Sequence, residues 1–393
     1  MPSLSRRDWL RISAAASSAS LLSTFGRQGW SADAPAKDLI VRSEDPLNAE
    51  PALAHLVENN ITPVKHFYIR SHAPTPKIDA NSFRLRIDGL VNKPVELSLG
   101  ELKEKFTPRT VEATLTCAGN RRREMSEIKP VGGVQWDAGA IGNATWTGPT
   151  LADVLKACEP RPEAKHVWFE GLDPIEDKEG SVAPFGGSIG LERALRESRD
   201  LPGALLAHGM NDRPLLPEHG FPVRSLVPGY IGARSVKWLG KITLSDRPSP
   251  NHYLAGAYKL VQSDTPEAYA AAEPIYQFPI NAAICTPAAG AKLKAGKTTI
   301  AGYALPPGDG QTDIRQVEVS ADGGRKWHTA EITNRFSRCC WRLWRVELAL
   351  PAGQHELVVR ATDNRGYVQP QETAWNAKGY LYNAWHRCPV EVG

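Results

Sequence analysis

"RTVEATLTCAGNRRREM" (Arg109–Met125) changes character at its centre. Val111, Ala113, Leu115 and Cys117 recur at period two, which puts them on one face of a strand. Ala118, Gly119 and Asn120 then form a tight turn, and Arg121, Arg122 and Arg123 follow it. A thiolate needs positive surroundings, whereas a structural buried cysteine needs none. The stretch alone leaves both readings open: a buried cysteine beside a solvated basic turn, or a thiolate held for chemistry.

Working outward, "FRLRIDGLV" (83–91) and "VELSL" (95–99) alternate like half-buried strands. Ser98 and Glu101 have capping-box spacing, which predicts a short helix through Lys105. Thr150 and Asp153 repeat that signature before "LADVLKAC". "HVWFEGLD" (166–173) reads as a strand leaving into a loop, "LERALRES" (191–198) as a short helix, and "ARSVKWLGKITL" (233–244) as one long strand. Strands and helices mix without a βαβ beat, so the fold class is α+β. The 393 residues exceed one ordinary core, so two domains are expected. Residues 251–279 show little periodicity and read as a linker. Beyond about residue 280, "TTIAGYAL", "WRLWRVELAL", "HELVVRATD" and "AWHRCPVEV" are strand-like, with a hairpin turn at Asp322-Gly323. Residues 280–393 are therefore expected to form an immunoglobulin-like β-sandwich behind a larger domain at 35–250.

The N-terminus reads "SRRDWLRISAAASSASLLS", with Arg6 and Arg7 before a weakly apolar run. This is similar to a twin-arginine export signal, with cleavage after Ala32 or Ala34 and a periplasmic destination. The run is too short to span a bilayer, and no other segment approaches the necessary length. A net charge of +4 is small for this length and argues against nucleic-acid or membrane-surface binding. The six cysteines form no C-x-x-C pair, so no zinc site is expected of them. The pairing of Cys158, Cys285, Cys339, Cys340 and Cys388 stays open. "GAKLKAGKT" (290–298) has one residue too many for a phosphate-binding P-loop, and a strand rather than a helix is expected after it. Asn143 in "NAT" matches a glycosylation triplet, which means little behind a bacterial-type export signal.

"FYIRSHAPTP" (67–76) and "HGFPVRSLVPGYIGARSVKWLG" (219–240) add basic, glycine-punctuated loops suited to a large anionic ligand. Together with "CAGNRRREM", "EGLD" (170–173) and "NAWHR" (383–387), and in this order, they resemble the sulfite oxidase family of molybdenum enzymes. The resemblance implies a molybdopterin domain followed by a dimerisation domain. It implies Cys117 as the thiolate ligand of molybdenum. It implies that the pterin is held by Tyr68, Arg70, His72, Asp173, His219, Arg224, Ser235, Val236 and Lys237. Arg70, Arg122, Trp136 and Tyr258 match the family's oxyanion pocket. Sulfite would be oxidised to sulfate there, the anion held by charge-assisted hydrogen bonds from guanidinium groups. One departure stands out: where sulfite-oxidising relatives read W-N-x-R-G, this chain reads "WNAKG", placing Lys378 at the arginine position. Lysine keeps the charge but loses the planar fork. No cytochrome b5-like domain and no C-x-x-C-H haem site is read in the sequence, so electrons are expected to leave to a separate partner, or to oxygen as in plant-type relatives, and export to the periplasm favours a c-type cytochrome. The sulfane dehydrogenase subunit of a thiosulfate-oxidising system and a molybdenum-dependent sulfoxide reductase are the alternative activities, and a protein without turnover the alternative class.

Overall fold

The computed structural model describes residues 38–176, 180–196 and 202–393. The twin-arginine stretch, and the end of the helix expected at 191–198, lie outside these residues.

The strand that carries the opening motif runs Arg109–Thr116 and stops one residue before Cys117. It pairs antiparallel with Ile141–Gly148, in a four-stranded sheet completed by Gly209–Met210 and Arg213–Pro214. Its expected face is buried from Ala113 onward, and Thr114 and Thr116 on the other face are buried as well. The second sheet of this part is mixed, in the order Gly186–Gly190, His166–Gly171, Leu239–Ser245, Leu85–Gly89, Val95–Leu97. Only Leu239–Ser245 and Leu85–Gly89 run parallel. Around these sheets sit short helices whose starts follow local chemistry. Ser98 and Glu101 close a reciprocal capping box on Leu99–Lys105, and the Thr150 hydroxyl accepts from the Asp153 amide ahead of Leu151–Ala157.

The long strand expected over 233–244 begins only at Leu239. Ahead of it, Gly232–Arg234 make a 3-10 turn. The buried Arg234 donates to the Ile275 and Tyr253 carbonyls at 2.9 Å each, and Trp238 sits at φ +50°. Side-chain demands of the surrounding loops override the alternation there. The helix Arg122–Ile128 was not expected; it starts from Arg121 in the left-handed region at φ +65°.

From Asn281 the chain forms two packed sheets. One contains Asn281–Thr286, Gly296–Leu305, Arg342–Leu350 and Glu331–Ile332; the other contains Lys292–Leu293, His386–Val392, Gly353–Asp363, Ile314–Ser320 and His328–Thr329. Ile284, Ile300, Val317, Trp344, Leu357 and Val390 are among the side chains that fill the space between them. This is the expected sandwich. A strand follows "GAKLKAGKT", consistent with the rejection of a phosphate loop. All six cysteines are buried and free. Asn143 is fully buried, so its triplet offers no accessible acceptor. Among the described residues no helix is long and apolar enough to cross a membrane.

Candidate active site

The three consecutive arginines have three different fates. Arg121 is fully buried and reaches the sandwich, donating to Asn281 Oδ1 and the Ala384 carbonyl at 2.8 Å each, with Glu124 as its counter-ion at 2.6 Å. Arg123 pairs with Asp137 at the surface, 3.1 Å away. Arg122 turns back beside the cysteine loop. It donates to the Lys378 and Val134 carbonyls at 2.8 Å each and lies 5.2 Å from the centre of the Tyr380 ring. Gly119 and Gly379 give it room: a Cβ on either would fall 2.4 or 2.6 Å from Arg122 atoms. Arg122 Nη2 makes no hydrogen bond among the described residues.

Cys117 is buried, and its Sγ accepts from the Gly119 amide at 3.4 Å. It forms part of the wall of a cavity open to solvent. Tyr68, Arg70, His72, Asp173, His219, Arg224, Ser235, Lys237 and Tyr258 also line this cavity. Their sequence positions span most of the first domain, so the fold gathers them from separate loops.

The electrostatics of the cavity are lopsided. Arg224 donates to the His219 and Ser235 carbonyls at 2.9 Å each and has no carboxylate partner among the described residues. Lys237 donates to Ser71 Oγ and the Glu218 carbonyl, both at 2.9 Å. Burial, reinforced by Arg224, pushes the Lys237 pKa well below its ordinary value. Burial brings Arg224 down to about 10. Burial, then Lys237 and Arg224, takes His219 down to about 3. The two acids nearby are affected in the opposite sense: burial raises both Asp173 and Glu218. The cavity thus holds buried positive groups satisfied by neutral carbonyls and hydroxyls, an arrangement that favours an anion.

On its other side, His72 Nε2 accepts from Arg70 Nη2 at 2.7 Å and faces the Tyr258 hydroxyl at 3.1 Å. Burial and the Arg70 charge keep His72 well below its usual range, so its ring is neutral and one nitrogen is shared by two donors. Burial raises the Tyr258 phenol, which stays protonated. Tyr258 sits at φ +50° and stacks on Tyr380 at 5.2 Å.

Four sequence candidates lie off the cavity wall: Arg122, whose contacts are given above, and Val236, Trp136 and Lys378. Val236 is in the core, and its amide donates to Ser225 Oγ at 2.7 Å. Trp136 is fully buried, with an indole N–H that has no partner. Lys378 does not direct its ammonium at the cavity. It pairs with Asp264 at 2.9 Å and is partly exposed, while its backbone carbonyl is what meets Arg122. Ser71, Glu218 and Phe185 line the cavity but were not singled out from the sequence. Ser71 and Glu218 lie next to singled-out positions, inside or beside the quoted motifs, and their roles run through a hydroxyl and a backbone carbonyl that residue type does not advertise.

Residues 72–253 match the family described as oxidoreductase molybdopterin binding domain, and residues 272–393 match the Mo-co oxidoreductase dimerisation domain. The chain is 41% identical to sulfite oxidase of Gallus gallus over 363 residues, covering 89% of this chain and 77% of that protein. It is 36% identical to sulfite oxidase of Arabidopsis thaliana over 379 residues, covering 90% and 94%. Its fold is similar to that of the sulfane dehydrogenase SoxCD from Paracoccus pantotrophus, with a TM-score of 0.75, 24% identity and 95% of each chain covered. Cavity, sandwich and these similarities agree: the chain belongs to the sulfite oxidase family, oxidoreductases that act on a sulfur group at a molybdopterin-binding domain.

Proposed function

We propose that this chain oxidises sulfite to sulfate, with a molybdenum-molybdopterin cofactor seated in the cavity beside Cys117. The observation that carries the reading is that Arg224 and Lys237, buried in the same cavity that Cys117 walls, donate to backbone carbonyls and a hydroxyl rather than forming ion pairs with its carboxylates. A phosphate-bearing pterin supplies the missing negative charge. Cys117 Sγ would hold the group by the soft sulfur ligation that suits molybdenum. When bound, this group provides two-electron oxygen-atom chemistry at sulfur.

The protein's own residues bind and orient the substrate. Arg70 and Arg122 are the guanidinium groups for the oxyanion, and Arg122 Nη2 keeps a donor free for it. Arg70 and Tyr258 both aim at the single His72 Nε2. An entering anion offers stronger acceptors, so both donors can turn to it while neutral His72 adds no charge. The burial that keeps Tyr258 protonated also makes it a donor rather than a base.

The Arg6-Arg7 signal supports periplasmic export, and with it transfer of electrons to a separate acceptor such as a c-type cytochrome. The dimerisation domain supports a homodimer. The test is metal analysis of purified protein combined with reduction of cytochrome c or ferricyanide by sulfite and, separately, thiosulfate. One molybdenum per chain and sulfite-dependent reduction are expected. Reduction by thiosulfate alone would transfer the reading to sulfane oxidation, and metal-free protein would overturn it.

A further inference from the structure

Two 3-10 turns, Leu53–Leu56 and Val64–His66, lie ahead of the first cavity motif. They bring His55, Glu58 and His66 together, with one ligand-type atom of each within 4.8 Å of the other two. The imidazoles of His55 and His66 stack at 3.9 Å and 20°. His55 Nδ1 lies 2.8 Å from Glu58 Oε1. The His66 side chain is only 5% exposed, yet its Nδ1 has no hydrogen-bond partner. Its Nε2 lies 3.8 Å from Asp38 Oδ2. A buried imidazole is ordinarily hydrogen-bonded, so this ring lacks a partner that its position calls for.

We propose that His55, Glu58 and His66 form a binding site for a divalent transition metal of the zinc class, separate from the cavity beside Cys117, with Asp38 as a flanking carboxylate. Two imidazoles and a carboxylate suit zinc, whose bonds to such ligands are about 2.0–2.2 Å and leave a fourth position for water. Ligand atoms so bound sit roughly 3.3 Å apart, so the His55–Glu58 pair must open from 2.8 Å and the His55 ring must tilt out of its stack on His66 as the wider gaps close. The side chains of His55 and Glu58 are 34% and 49% exposed and free to move, while His66 stays as the fixed anchor. The metal takes the place of the proton between His55 Nδ1 and Glu58 Oε1, and that proton leaves to solvent. His66 is followed directly by Phe67 and Tyr68 of the cavity wall, and Leu56 of the first turn is part of the main core. A metal here ties those two turns together at the approach to the cavity.

The test is calorimetric titration of chelator-treated, molybdenum-loaded protein with zinc chloride, read beside thermal unfolding. The parent should bind one zinc per chain, release protons, gain a saturable rise in Tm, and bind more weakly at pH 5.5 than at pH 7.5. His55→Ala and Glu58→Gln, both at half-exposed positions that should not disturb folding, should each weaken binding about tenfold or more. The proposal falls if the parent takes up no zinc at millimolar concentration. It also falls if the double variant His55→Ala/Glu58→Gln binds zinc as the parent does, since the metal would then sit elsewhere.

Discussion

Acidification from pH 7 to pH 5 should unfold the cofactor-free protein in part through His219. The ring is buried edge-on to Phe67, at 5.6 Å, and burial with Lys237 and Arg224 lowers its pKa from 6.5 to about 3. A hydrogen bond with the Val64 backbone pulls the other way but does not win. The folded value is below the unfolded one. Below about pH 6.5 the unfolded chain therefore takes up a proton that the folded chain refuses. The contribution of His219 is full above that pH and is lost as the pH falls toward 3. Between pH 7 and pH 5 this one group removes about 2 kcal/mol, at about 1.4 kcal/mol per pH unit once the unfolded ring is charged. His208 and His386, both pushed to about 4 by burial, act in the same direction. The informative quantity is thus the difference between parent and His219→Gln in urea unfolding at the two pH values. The parent should lose about 2 kcal/mol more than the variant. A bound phosphate would offset Lys237 and Arg224 and shrink that difference in the loaded protein. Equal losses in parent and variant would refute the electrostatic account of the cavity.

Arg122→Gln removes the charge and the planar fork together, and should cost about 2–4 kcal/mol in kcat/KM for sulfite, mostly through KM; steady-state kinetics at fixed ionic strength measure it, and an unchanged kcat/KM would move the oxyanion site elsewhere. Lys378→Ala breaks an exposed pair with Asp264, a type of contact worth about 0.2–1 kcal/mol, so KM for sulfite should stay within about threefold of the parent; a tenfold change would put Lys378 back in the substrate pocket. Light scattering of the mature protein should give the mass of a two-fold dimer, and a clean monomer at micromolar concentration would count against the dimerisation role of residues 272–393.

The parts of this molecule that were legible in its sequence are those set by local chemistry. Ser98 and Glu101 satisfy each other within four residues, and their helix starts where they say. The C-terminal strands alternate because one face packs on the opposite sheet, and that pattern survives in the sandwich. Legibility fails where partners are distant. Residues 233–238 look like the start of a strand, but Arg234 answers to carbonyls at Tyr253 and Ile275. The three arginines are identical as letters, yet their directions depend on the sandwich, on Asp137 and on the glycines beside Arg122. Lys378 shares the position of a family arginine, but its shorter reach toward Asp264 follows from a segment more than a hundred residues earlier. Most residues singled out by motif line one cavity, and its imbalance of charge became visible only when the loops were brought together.

The central claim is that Cys117 and the cationic cavity hold a molybdopterin that turns over sulfite. The most direct measurement compares the parent with Cys117→Ser for molybdenum and pterin content and for sulfite-dependent reduction of ferricyanide. Among the described residues Cys117 is the one sulfur side chain in the cavity wall, whereas the proposed pterin contacts of Arg224 and Lys237 do not involve it. The variant should therefore keep most of its pterin and lose turnover. A Cys117→Ser protein as active as the parent would contradict the account.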